Sequence, residues 1–188
     1  MVPRLTGRRV ALLIEEGFSS REVQEPLRVL TAEGAEVVLV APSTKAPYRD
    51  KAGGDSVTAS LAAGAARMDQ FDALLIPGGH APDRMRMRHA MIDLVTDAMT
   101  TGKPVAAICH GPQVLITANV LRGRTMTCWP SIAVDVKNAG GLYVDRPAVR
   151  DGNLITARKS DDLAVFLEML IEAVAAMPAP PARPTGVQ

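Results

Sequence analysis

The group best suited to covalent chemistry in this chain is the thiol of Cys109. It stands between an apolar run, residues 104–108 (PVAAI), and His110-Gly111-Pro112, after which apolar residues recur at helical spacing as Val114, Leu115, Ala118 and Leu121. This reads as a strand, a sharp turn and a helix. Proline suits a first helical turn, because its missing N–H has no partner there and its φ is already helical. The helix is therefore expected to begin at the cysteine. A side chain at that corner projects from the carboxyl end of the strand toward unpaired N–H groups and the positive end of the helix dipole, both of which favour a thiolate. Cys109 is placed as a nucleophile, and Gly111 supplies the tight backbone that a nucleophile elbow requires.

A thiol that attacks a carbonyl needs a proton acceptor, and the developing oxyanion needs donors. Three loops, each leaving the carboxyl end of an expected strand, carry candidates. The first holds Glu22, near the start of the first helix, an acid/base if it is buried rather than solvated. The second is Pro77-Gly78-Gly79-His80-Ala81-Pro82-Asp83. Its consecutive glycines Gly78 and Gly79 let the backbone approach a ligand closely, and their N–H groups, with that of His110, can form an oxyanion nest. The third is His110 itself, although adjacency in sequence does not place its ring on the sulfur. Trp129, the only tryptophan, is a candidate pocket wall, and Cys128 beside it reads as a packed thiol. His80 and His89 read as surface or loop residues without metal-ligand spacing, so neither a metal nor a cofactor is expected. The basic residues Arg84, Arg86 and Arg88, alternating with Met85 and Met87, read as a solvated or subunit-facing loop.

The elements that must position these groups follow from the hydrophobic pattern. Residues 10–14 (VALLI), 36–41 (EVVLVA) and 71–76 (FDALLI) are apolar runs without alternation, as expected for parallel strands covered on both faces. Helices are expected over 20–33, with Pro26 bending the helix so as to tip Glu22 inward, and over 89–100, 132–138 and 161–176, the last started by Ser160 as N-cap. Residues 126–129, 142–149 and 153–157 read as further strands, and 42–63 as loops or a small hairpin. The βα alternation gives an α/β fold, a three-layer sandwich with helices on both faces of a mainly parallel sheet and the site outside the strands' carboxyl ends. Residues 1–176 are expected to form one domain, followed by a Pro-rich, disordered tail over 177–188.

The segment AICHGPQ, preceded by LLIPGGHAP and followed by LRGR, resembles the ThiJ/PfpI superfamily, relatives of the Parkinsonism-associated deglycase and of the class I glutamine amidotransferases. It is most similar to the PfpI, or intracellular protease I, branch, and the resemblance runs over residues 10–174. It implies a flavodoxin-like, class I glutamine amidotransferase-like fold. It also implies a glutamate lying against the cysteine sulfur at Glu22, an oxyanion glycine in the PGG turn, and His110 as catalytic partner. The acid of a protease triad would come from a neighbouring subunit at Asp83, where the family more often has Glu. A homo-oligomer, dimer or hexamer, is implied as well.

The activities that the resemblance implies are glyoxalase III, repair of early glycation adducts and a weak peptidase, on a small aldehyde, a glycated adduct or a peptide. Aldehyde chemistry is the most economical of these, since it asks for one nucleophile and one acid/base. The alternative is a non-enzymatic, redox-sensing or chaperone-like stress protein in which Cys109 is oxidised to a sulfinate. A net charge of +1 in 188 residues offers no field for nucleic acid or anionic membrane. No apolar run approaches a membrane span, and two cysteines without a signal peptide point to the cytoplasm.

Overall fold

The computed structural model describes residues 2–179. Its sheet is built on β1 (Arg9–Leu13), β2 (Glu36–Ala41), β6 (Ala73–Ile76) and β7 (Val105–Ile108), with β5 (Leu61–Ala62), β10 (Ala148–Asp151) and β11 (Leu154–Ala157) toward its edges. The order is β10-β11-β7-β6-β1-β2-β5. Every neighbouring pair is parallel except β10 with β11, which is the antiparallel hairpin expected around Asp151-Gly152. The unalternating apolar runs are explained by burial on both faces: every residue of β6, β7 and β11 is buried.

Helices α1 (Ser20–Ala32) and α6 (Leu163–Ala175) pack on one another, α1 against β2 and α6 against β10 and β11. The second helical group is α2 (Ala81–Met85), α3 (His89–Thr100), α4 (Pro112–Thr117) and α5 (Ala133–Asn138), with α3 lying against β6 and β7. This is the expected three-layer α/β sandwich. Helix α6 drives Leu163, Phe166, Leu167, Leu170 and Ile171 into the core, each worth about 1.5–3 kcal/mol of transfer free energy.

Local differences from the sequence reading have physical causes. Helix α1 continues through Pro26 as expected, and the missing N–H leaves the carbonyl of the buried Glu22 without its helical donor. The segment 42–63 holds the small hairpin that its sequence offered beside loops, β3 (Tyr48–Arg49) with β4 (Ser56–Val57), and β5 adds an edge strand to the sheet that was not expected. The strand expected over 126–129 shrinks to β8 (Thr125–Met126), which pairs with β9 (Leu142–Tyr143) outside the main sheet. Ser160 opens a 3-10 turn, Ser160–Asp162, and does not cap α6. Met177 and Pro178 are held through their carbonyls by the buried Arg8, at 2.6 and 2.8 Å; residues 180–188 of the expected tail lie outside the described residues. No helix among the described residues is long and apolar enough to cross a membrane.

Candidate active site

The corner after β7 is the tightest point of the chain. Cys109 takes φ of +60°, a left-handed conformation that costs a side-chain-bearing residue roughly 1–2 kcal/mol. The sequence assigned that tightness to Gly111, but Gly111 has an ordinary φ of −47° and serves as N-cap of α4. It is glycine for a different reason: a Cβ there would lie 2.7 Å from the Ile76 carbonyl oxygen and 2.9 Å from that of Ile108. The helix begins at Pro112, as its N1 residue, three positions after the cysteine. The strained corner is fixed from outside, since Cys109 N–H donates to Ala157 O at 3.0 Å and Trp129 N–H donates to Cys109 O at 2.9 Å.

The Cys109 side chain, 9% exposed, sits at the base of a cleft of about 670 Å³. Glu22 is buried behind it, accepting the Gly78 N–H at 2.8 Å and the Ser160 hydroxyl at 2.7 Å. A Cβ on Gly78 would lie 2.6 Å from Glu22 Oε2, 2.7 Å from Cys109 Cβ and 3.1 Å from His110 N. Carboxylate and thiol-bearing side chain thus face each other across the space of one missing methyl group. Gly79, at φ +84°, is pressed against the backbone of Gly17, Phe18 and Ser19, where no side chain fits. Its N–H and that of His110 reach the sulfur.

The His110 ring does meet the thiol, with Nδ1 at 3.4 Å from Sγ, while Nε2 lies 3.5 Å from Ser131 Oγ. Trp129 stacks on it, with centroids 6.0 Å apart and planes 29° from parallel, and walls the cleft. Burial, with the nearby His80 and Lys51, lowers the pKa of His110, so the ring is neutral and able to accept a proton near pH 7. Burial and then the Glu22 carboxylate push the Cys109 thiol up to about 12, outweighing the His110 and Gly79 N–H groups and the Lys51 charge that act the other way. At rest Cys109 is therefore a thiol with the neutral His110 ring beside it, not the free thiolate that the helix terminus alone would favour.

The remaining candidates divide. Asp83 is exposed on α2 and does not line the cleft within one chain. Cys128 is fully buried, its thiol likewise pushed up to about 12 by burial. His80 borders the cleft, whereas His89 is exposed at the start of α3. The arginine cluster is not merely solvated: Arg84 donates to Glu16 O, Arg86 to Thr117 Oγ1, and Arg88 pairs with the buried Glu15 at 2.9 Å. The sequence offered Ser160 only as a helix cap, with no sign of the carboxylate 138 residues away that it holds, and gave no sign of Lys51 at the cleft. Only the Ser160 position, just beyond the end of β11, could have signalled a place near the site. No group of three or more His, Cys, Asp or Glu side chains is arranged to hold a metal ion among the described residues.

Comparison with known proteins bears on this arrangement. The chain matches the DJ-1/PfpI family over residues 8–173. It is 39% identical over 161 residues to protein/nucleic acid deglycase 2 of Escherichia coli, covering 85% of this chain and 94% of that one. A deglycase of Pyrococcus abyssi is 40% identical over 164 residues, 87% of this chain and 98% of its own. General stress protein 18 of Bacillus subtilis is 37% identical over 161 residues, 85% and 94% of the two chains. Among solved structures, a two-domain protein of Anabaena variabilis with DJ-1/ThiJ/PfpI-like and ferritin-like domains superposes with a TM-score of 0.88 at 39% identity. That match covers 96% of this chain, which spans about half of the larger protein, 52% of it. By sequence and by fold, the chain belongs to the DJ-1/PfpI family.

Proposed function

We propose that the protein is a cysteine-dependent enzyme acting on reactive aldehydes or glycation adducts, in the manner of a glyoxalase III or a deglycase. The observation that carries this reading is the assembly of Cys109, His110 and Glu22 at the base of one cleft, with Nδ1 of His110 at 3.4 Å from the sulfur. Two relatives that cover most of the chain are named deglycases. In the proposed course, Cys109 Sγ adds to the aldehyde carbon while its proton passes through neutral His110 to the carbonyl oxygen, giving a hemithioacetal. The Gly79 and His110 N–H groups stabilise negative charge at this end of the cleft. With a 2-oxoaldehyde, Glu22 then takes the proton from the former aldehyde carbon and returns one to its neighbour. The resulting thioester is cleaved by water to a 2-hydroxy acid and free Cys109.

Peptidase chemistry is the weaker reading, because Asp83 stands outside the cleft and would have to come from a second copy of the chain. A homo-oligomer is part of the proposal only in that role. The test is turnover of methylglyoxal by the purified protein without metal or glutathione, beside Cys109→Ser and Glu22→Gln. Both variants should lose about three orders of magnitude or more in kcat/KM. Retained activity in Cys109→Ser sinks the mechanism. No turnover in any form, with Cys109 readily oxidised by peroxide, replaces it with the redox-sensing stress protein.

A further inference from the structure

The charges around the cleft satisfy one another with one exception. Arg21 and Lys159 both pair with Asp161, at 3.1 and 3.4 Å. Asp50 is turned into its own loop, accepting the N–H groups of Gly54 and Asp55 at 2.8 and 3.1 Å. Glu22 is held by Gly78 and Ser160. Lys51 lines the same cleft, and its ammonium has no ion-pair or hydrogen-bond partner among the described residues.

Nor is Lys51 on a loose loop. It follows β3 in the hairpin, and its N–H donates to Phe18 O at 2.8 Å. Gly17 N–H donates to Arg49 O at 2.8 Å, Arg49 N–H to Glu16 Oε2 at 2.9 Å, and the Ser20 hydroxyl is bonded to Asp55. Phe18 in turn bridges both Asp50 and Gly79. The hairpin is thereby stitched to the loop that frames the nucleophile, and the Lys51 charge acts on both Cys109 and His110.

We propose that Lys51 is a specificity residue of this site and that the cleft selects carbonyl compounds that carry a carboxylate. For its chemistry this rests on the aldehyde reading above; the binding of the anion stands apart from it. One cation, with the neighbouring N–H groups already directed at the sulfur, suits a singly charged carboxylate and falls short of the several donors that a phosphate dianion requires. An adduct formed on a free amino acid keeps such a carboxylate, whereas an adduct on a protein side chain does not. The preferred substrates are therefore the small, free adducts.

The test compares alkylation of Cys109 by iodoacetate and by iodoacetamide, followed by mapping of the modified peptide in the full-length protein. Both reagents consume the same thiolate, so the ratio of their rate constants cancels its population and isolates attraction of the carboxylate. The ratio should exceed that of an exposed thiol in an uncharged peptide by about tenfold, as a cation in a cleft raises the local concentration of an anion. Lys51→Gln should bring it down to the peptide value and Lys51→Arg should preserve it. Lys45→Gln, exposed and outside the cleft, should leave it unchanged. An equal ratio in the wild type and Lys51→Gln overturns the proposal. A ratio that depends on Lys51 in a protein that turns over no aldehyde keeps the carboxylate site and removes the aldehyde enzyme; turnover with no dependence of the ratio on Lys51 does the reverse.

Discussion

Replacing Gly78 by alanine tests how closely the site is built. The added Cβ would sit 2.6 Å from Glu22 Oε2, 2.7 Å from Cys109 Cβ and 3.1 Å from His110 N. None of the three can yield cheaply. The carboxylate is held by Ser160, the cysteine is locked at φ +60°, and the third atom is backbone. Overpacking of this kind costs about 1–3 kcal/mol. For a chain of this size each kcal/mol lowers Tm by roughly 2–4 °C, so a fall of about 2–12 °C is expected. Turnover should suffer far more than stability, because the clash parts Glu22 from Cys109, the acid/base and nucleophile of the proposed mechanism, and a shift of about 1 Å in such a pair costs on the order of a hundredfold in rate. The assay is calorimetry beside methylglyoxal turnover, with Gly64→Ala as control, since a Cβ at Gly64 meets nothing within 4 Å. A Gly78→Ala protein with wild-type Tm and kcat/KM would refute the argument that carboxylate and cysteine act across this gap.

Ser160→Ala removes the hydroxyl from a buried carboxylate oxygen, which should cost about 1.5–3 kcal/mol and lower Tm; thermal unfolding in which Ser160→Ala matches the wild type would place the hydroxyl in solvent instead. The single tryptophan stacks on His110, so its fluorescence should follow the protonation of that ring, with a midpoint below the ordinary 6.5 because burial disfavours the cation; a midpoint at or above 6.5 would contradict this. By linkage, the unfolded chain takes up that proton first. The stability due to His110 is complete above pH 6.5 and declines as the pH falls through 6.5 toward the folded pKa, visible as a loss relative to His110→Gln in urea unfolding at pH 7.5 and 5.5. Arg8→Met should cost about 3 kcal/mol, since the ion pair with Asp72 that it breaks is buried on both sides, and a smaller effect in denaturant titration would mean that the pair is solvated.

Much of the site was legible because it is local. The strand, the turn and Pro112 are contiguous, and their chemistry dictates an elbow whatever the rest of the chain does. The two glycines after β6 announce close approach for the same reason. The sequence does not reveal which residue bears the strain, because Gly111 and Cys109 are both compatible with a sharp turn; only the packing of Gly111 against Ile76 O and Ile108 O decides it. Ser160 was read by its local preference for helix starts, yet its hydroxyl is taken by a carboxylate far away in sequence, a tertiary bond that overrides the cap. The hairpin carrying Lys51 stood only as an alternative to loops, because its strands are two residues each. Its order comes from bonds to the loop after β1, which no periodicity records.

The grip of Arg8 on the last described turn has a practical side. Arg8 precedes β1, at the end of the parallel strands away from Cys109, and it holds the carbonyls of both Met177 and Pro178. These two residues are thereby pinned at the end of the sheet opposite the cleft. A dye, an affinity handle or a surface tether attached at Met177 or Pro178 would stand away from Cys109 and leave its thiol open to reagents. One placed just before β1 would instead compete with the bonds that Arg8 makes to their carbonyls.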